Sequence, residues 1–71
     1  MHIENTLELG QLIRRRRKTM GLTQLDAAGL CGVGERFLSE LERGKPSASL
    51  GKALQVLRRL GFTVSVDHYL D

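Results

Sequence analysis

Glycines at positions 21, 32, 44 and 61 constrain this chain more than any other feature, because each one closes a stretch with helical periodicity. Leu9, Leu12, Ile13 and Met20 recur at helical spacing and predict a first helix from about Thr6 to Thr19, ended by Gly21. Thr23 is a natural N-cap for a short second helix running to about Cys31, and Gly32 supplies the positive φ its C-terminus wants. A third helix, from about Gly34 to Arg43, turns Leu38 and Leu41 inward and stops at Gly44. Lys45-Pro46-Ser47 reads as loop, and Ser49 can cap a fourth helix. Leu50, Ala53, Leu54, Leu57 and Leu60 form the expected apolar stripe of that helix, which Gly61 closes.

Beyond Gly61 the period changes. Phe62, Val64 and Val66 alternate with Thr63, Ser65 and Asp67, the pattern of a half-buried strand. A lone strand cannot satisfy its own backbone, and no other segment reads as a strand. A second copy of the same segment is the simplest remedy, which predicts a two-fold homodimer with an intermolecular two-stranded ribbon through Phe62, Val64 and Val66. A frayed tail packing on the fourth helix is the alternative.

A chain of 71 residues has room for one small domain. It buries only about 60% of its unfolded surface, so a lone monomer is expected to be marginal. Cys31 is the single cysteine and cannot form an internal disulfide; with no signal-like N-terminus, a reducing cytoplasm is expected. No apolar run approaches the roughly 20 residues of a membrane span. The net charge is +3, and five of the eleven basic residues are consecutive, Arg14 to Lys18. That balance admits a polyanionic partner without requiring one.

The stretch GLTQLDAAGLCGVGERFLSELERGKPSASL, Gly21 to Leu50, carries the functional signal. Ala28 is small where two helices must cross closely, Gly32 makes the elbow, and Leu38 and Leu41 seat the next helix on the core. In GLTQ, and in GVGERFLSELERGKPSASLGKALQVLRRLG, the chain resembles the Xre-type helix-turn-helix family of phage repressors and Cro, over roughly Leu9 to Gly61. With FLSELERGKP and the strand after helix four, it looks most like the HipB-like antitoxin branch. The resemblance implies an all-α, four-helix, lambda-repressor-like domain over residues 6–61. A C-terminal dimerisation strand and tail would occupy residues 62–71.

With Leu38 and Leu41 buried, about 100° per residue turns Arg36, Ser39, Glu40 and Arg43 outward and leaves Glu35 at the N-terminal end. The family places this helix in the major groove of double-stranded DNA. By position Glu35, Arg36 and Glu40 match its base-reading sites, and Ser39 borders them. Arg36 can pair with guanine O6 and N7, and either glutamate can accept from a cytosine amine. A carboxylate beside phosphates is repelled, so a solvated face is the alternative for these residues. Thr23 and Gln24 open the second helix, where free amides and the dipole attract phosphate. The family uses the Gln24 position for such a contact, and Arg43 and Lys45 flank the same groove. All four are assigned to phosphates, which position the protein without reading sequence.

The wheel turns Arg14, Arg15 and Lys18 away from the apolar stripe, while Arg16 and Arg17 flank it. The family has an Arg–Glu ion pair at the positions of Arg17 and Glu42, which the resemblance therefore implies here. Arg16 stands where the family has an apolar residue; its stem is expected to pack and its head to escape. Gly29 inside the second helix and Gly34 at the cap of the third soften the reading unit.

Gly32-Val33-Gly34 is no dinucleotide fingerprint, since no strand precedes it. Cys31 reads as a small core residue, and Phe37 as core edge or as a contact to a thymine methyl. His2 and His68 have no ligand-spaced companions, so no metal or cofactor is expected, and no nucleophile, base and oxyanion donor come together for an enzyme. The resemblance implies a dimeric repressor of a pseudo-palindromic operator, acting as an antitoxin with a HipA-like kinase toxin as partner. A stand-alone regulator without a toxin, and an interaction module that no longer binds DNA, are the rivals.

Overall fold

A computed structural model of the chain describes residues 2–68. Four helices follow in order: α1 (Thr6–Thr19), α2 (Gln24–Cys31), α3 (Glu35–Glu42) and α4 (Leu50–Arg59). The fold is an all-α helix-turn-helix domain. Gly21, Gly32, Gly44 and Gly61 all take positive φ, between 71° and 90°, so each boundary lies in backbone that a side chain would strain.

Side chains close three of the helix N-termini. Asn5 Oδ1 accepts from the Glu8 amide at 2.9 Å, Thr23 Oγ1 from Asp26 at 3.1 Å, and Ser49 Oγ from Lys52 at 3.3 Å. The fourth, at Gly34, has no side-chain cap. The core is assembled from Ile13 of α1, Ala27, Ala28 and Cys31 of α2, Leu38 and Leu41 of α3, and Ala53, Val56, Leu57 and Leu60 of α4 and its cap. Phe37 lies at the core edge, half-buried, with the Lys52 ammonium 5.6 Å from its ring centre.

Two sequence expectations need correction. Leu50 and Leu54 do not belong to the core: they are 71% and 41% exposed, while Val56 is fully buried. The apolar stripe of α4 is wide, and its neighbours choose which part of it is covered. Gln55 Nε2 donates to the Cys31 carbonyl at 2.7 Å and Cys31 Sγ approaches the Val56 carbonyl at 3.9 Å, so α2 sits over the Ala53–Val56 side. The second correction is Arg16. The residue is exposed, but its head is not left to water alone: Nε donates to the Leu60 carbonyl at 2.9 Å, a cation at the C-terminus of α4.

Phe62 to His68 carries no regular secondary structure in the single chain. The Phe62 amide closes the turn on the Leu57 carbonyl at 2.9 Å and its ring packs against the core, whereas Val64 and Val66 are 53% and 93% exposed. A strand needs a partner ladder, and one chain offers none among its described residues. The last three residues of the expected tail, 69–71, lie outside the described residues.

α1 crosses α3 more closely than the sequence suggested. A Cβ on Gly10 would stand 2.5 Å from the Leu41 carbonyl oxygen and 2.6 Å from that of Glu42. At the end of α3, a Cβ on Gly44 would meet Leu7 Cα at 2.6 Å, and Thr6 Oγ1 donates to the Gly44 carbonyl at 2.8 Å. No helix among the described residues is long and apolar enough to cross a membrane.

Two glycines of α1 and α2 should therefore respond oppositely to alanine. Gly10→Ala is expected to lose about 3 kcal/mol, the upper end of overpacking costs, because the obstructing atoms are backbone. Nothing lies within 4 Å of a Cβ on Gly29, so Gly29→Ala should gain about 1 kcal/mol. Thermal melts would show the gain as a rise of roughly 4–8 °C.

Candidate nucleic-acid interface

The turn between α2 and α3 is built from backbone. Gly32 donates to the Gly29 carbonyl at 3.3 Å and Val33 to that of Ala28 at 3.0 Å, while the left-handed Gly32 (φ 71°) reverses the chain. Val33 is half-buried against the core. Leu38 and Leu41 then fix which side of α3 faces in, being 0% and 3% exposed.

The opposite side is open. Glu35, Arg36 and Arg43 are exposed, Ser39 and Glu40 half-buried. The Arg36 side chain is 92% exposed, and its Nε stands 3.9 Å from Glu40 Oε2. The same Glu40 oxygen accepts from Lys45 Nζ at 3.2 Å. The i,i+4 spacing of Arg36 and Glu40 was visible in the sequence; the return of Lys45 beyond the Gly44 turn was not.

Behind this face lies an ion pair. Arg17 Nε and Nη2 donate to Glu42 Oε2 and Oε1 at 2.6 and 2.9 Å, and Nη1 donates to the Leu22 carbonyl at 2.9 Å. Arg17 is 8% exposed and Glu42 6%. The hydrogen bonds to Glu42 raise the Arg17 pKa above its ordinary value against the opposing pull of burial, so the guanidinium stays charged. Gln24 Nε2 adds a third donor to Glu42, at 3.1 Å. Sequence reasoning missed that link, since nothing local connects positions 24 and 42.

Its consequence is geometric. The start of α2, with Thr23 and Gln24, is held beside the end of α3, which Arg43 and Lys45 follow. The four phosphate candidates gather at one end of the surface. Glu35 and Arg36 lie at the other end of an eight-residue helix about 12 Å long. Phe62, Val64 and Val66 belong to the segment after α4.

Two short helices joined by a left-handed glycine, the second seated by leucines and bare on its outer side, define a helix-turn-helix domain. Residues 8–68 match the family described as helix-turn-helix domain, HTH_31. The chain is 45% identical over 64 residues to the HTH-type transcriptional regulator y4mF of Sinorhizobium fredii, covering 90% of this chain and 84% of that protein. It is 44% identical over 50 residues to an HTH-type transcriptional regulator of Methanothermobacter thermautotrophicus, covering 70% and 72% of the two chains. Among solved structures it is similar to HipB in a HipA-HipB-O2-O3 complex, at 18% identity, a TM-score of 0.86, and 99% coverage of each chain. A HipB-O4 20mer complex gives the same values. At that identity the likeness is one of fold. This chain belongs to the Xre-type helix-turn-helix family of transcriptional regulators, with a HipB-like fold.

The buried pair generates its own test. Arg17→Met or Glu42→Leu alone should cost about 3–5 kcal/mol in urea denaturation, each leaving a buried charge unpaired. The double variant should recover most of that loss, because a well-packed apolar pair of similar volume is often neutral.

Proposed function

We propose that this protein is a sequence-specific DNA-binding repressor that works as a homodimer on a pseudo-palindromic operator and serves as the antitoxin of a HipBA-like operon it regulates itself. The observation that carries the DNA reading is the bare outer face of α3, with the Arg36 side chain 92% exposed on a helix whose inner face is locked by Leu38 and Leu41. On this reading α3 enters the major groove; Arg36, with Glu35, Ser39 and Glu40, faces base edges. Thr23 Oγ1 caps Asp26 yet retains a hydroxyl proton for a phosphate, and Gln24, Arg43 and Lys45 complete the backbone contacts. The Gln24 amide holds Glu42 with one hydrogen and has a second to offer.

The domain is residues 6–61, and 62–71 the dimerisation segment. Support for the dimer comes from the exposed Val64 and Val66 and from the open groove framed by Leu54, Arg58, Phe62 and Val64. With Phe62 turned to its own core, the ribbon would be joined mainly by Val64 and Val66. Two subunits then place two α3 helices about 34 Å apart, one turn of duplex. The antitoxin reading, with a HipA-like kinase as partner, is supported by the fold shared with HipB in the HipA-HipB-O2-O3 complex. The protein acts in the cytoplasm, without catalytic activity and without a cofactor.

Selection of bound duplexes by the purified protein, followed by a salt titration on the best one, tests this. Specific binding should weaken with a log–log slope of about −0.9 per phosphate neutralised. Arg36→Ala should lose about 1–3 kcal/mol of discrimination at one base pair, and Lys45→Ala should weaken binding without changing which base is preferred at any position. Equal loss on every duplex for Arg36→Ala makes it a phosphate contact. In sedimentation, Val64→Lys with Val66→Lys should shift the mass from dimer to monomer. A kinase-like reading frame beside the gene, and co-purification with its product, separates the antitoxin from a stand-alone regulator.

A further inference from the structure

The charge layout is uneven. Ten of the eleven basic residues fall within residues 9–25 or 43–66, stretches without a single carboxylate. The helix-turn-helix unit from Leu22 to Lys45 instead carries four carboxylates, Asp26, Glu35, Glu40 and Glu42, against three cations, Arg36, Arg43 and Lys45. Its net charge is −1 in a chain of net +3. Glu42 is consumed by Arg17. Glu35 and Glu40 are the carboxylates set among the groups that would touch duplex, and Glu40 is the one that faces Arg36 and Lys45.

Its geometry assigns it a role different from reading a base. One oxygen, Oε2, takes Lys45 Nζ at 3.2 Å and stands 3.9 Å from Arg36 Nε. The Glu40 side chain is 23% exposed, while those of Lys45 and Arg36 are 45% and 92% exposed. The carboxylate thus lies beneath two more exposed cations and faces both. A carboxylate so engaged is a poor acceptor for a cytosine amine. It also weakens the pull of both cations on any phosphate.

We propose that Glu40 is a specificity-determining residue that holds Arg36 and Lys45 in a three-residue charge cluster, suppresses binding to arbitrary duplex, and releases the two cations only where Arg36 finds its guanine. The inference rests on the reading of α3 as a DNA-reading helix. At an arbitrary site, moving Lys45 to a phosphate breaks its contact with Glu40 and brings a carboxylate toward the polyanion, with nothing gained at the base edge. At the right site the two hydrogen bonds from Arg36 to O6 and N7 offset that loss. Discrimination then comes from a repulsive element as well as an attractive one. Exposed ion pairs contribute little to stability, so changing Glu40 leaves a folded protein to measure.

The test compares full-length wild type and Glu40→Gln on two duplexes of equal length, the best selected one and a scrambled one, across a salt titration. Glu40→Gln should bind the scrambled duplex about tenfold tighter and the selected one by a smaller factor, so their ratio falls. Its log–log slope on the scrambled duplex should steepen by about one, the sign of one more cation reaching a phosphate. In a Lys45→Ala background the same change should gain less, which a purely structural effect of Glu40 would not produce. A wild type that discriminates while Glu40→Gln leaves both affinities unchanged overturns this inference alone. So does a loss confined to one base pair, which makes Glu40 a base reader. A wild type that binds no duplex overturns the DNA reading, and the inference with it.

Discussion

The bidentate pair of Arg17 and Glu42 is the constraint on which the placement of α3 and its outer face depends. Three helices meet there: Arg17 from α1, Glu42 from the end of α3, and Gln24 from the start of α2, with the Leu22 carbonyl taking the remaining Arg17 contact. The core around it is small and includes two alanines of α2. Apolar contacts of that kind are non-directional and tolerate sliding. A guanidinium fork on a carboxylate does not, because two hydrogen bonds fix both distance and plane. Burial raises the stakes, since each charge alone would cost several kcal/mol to desolvate, about the whole margin of a small domain. The pair therefore sets the register of α3 on α1 and α2, where leucines set only its face.

Close approach finishes what the ion pair begins. Gly10 lets α1 lie against the Leu41 and Glu42 carbonyls, and Gly44 lets the chain turn directly over Leu7, where Thr6 ties the loop. The C-terminal end of α3 is thus gripped by an ion pair, two glycine contacts and a hydroxyl. Its N-terminal end has Gly34 and no side-chain cap. Side-chain anchorage is polarised along eight residues. The end next to the phosphate candidates is held firmly, and the end carrying Glu35 and Arg36 is held by backbone and by Leu38.

Much of the fold was legible because its signals are local. A glycine that must take positive φ announces a boundary whatever surrounds it, and Thr23 and Ser49 cap by chemistry that needs only three residues. The missed features are the ones decided by neighbours. The apolar stripe of α4 is wide, and only the packing of α2 selects Val56 over Leu50 and Leu54. Arg16 looked misplaced until the Leu60 carbonyl appeared across the crossing from α1. Gly10 carries no sequence sign of the backbone it meets. At the candidate site, the outward set on α3 follows from two leucines and a helical wheel. The contacts from Gln24 to Glu42 and from Lys45 to Glu40 cross turns whose course the wheel does not describe.

The separation of charge explains how so acidic a reading unit can still belong to a DNA-binding protein. Attraction at a distance depends on the summed field of the molecule, and that field is positive here because Arg14, Arg15, Lys18, Lys52, Arg58 and Arg59 are exposed and outside the helix-turn-helix. Among the described residues none of these six has an ion-pair partner. On the proposed reading, discrimination at contact depends instead on the few groups of α3, where extra positive charge would raise affinity for every duplex equally. A chain with its cations concentrated on α3 would bind more tightly and choose less well. Placing them on α1 and α4, around a net-negative unit, lets approach and choice be set by different residues.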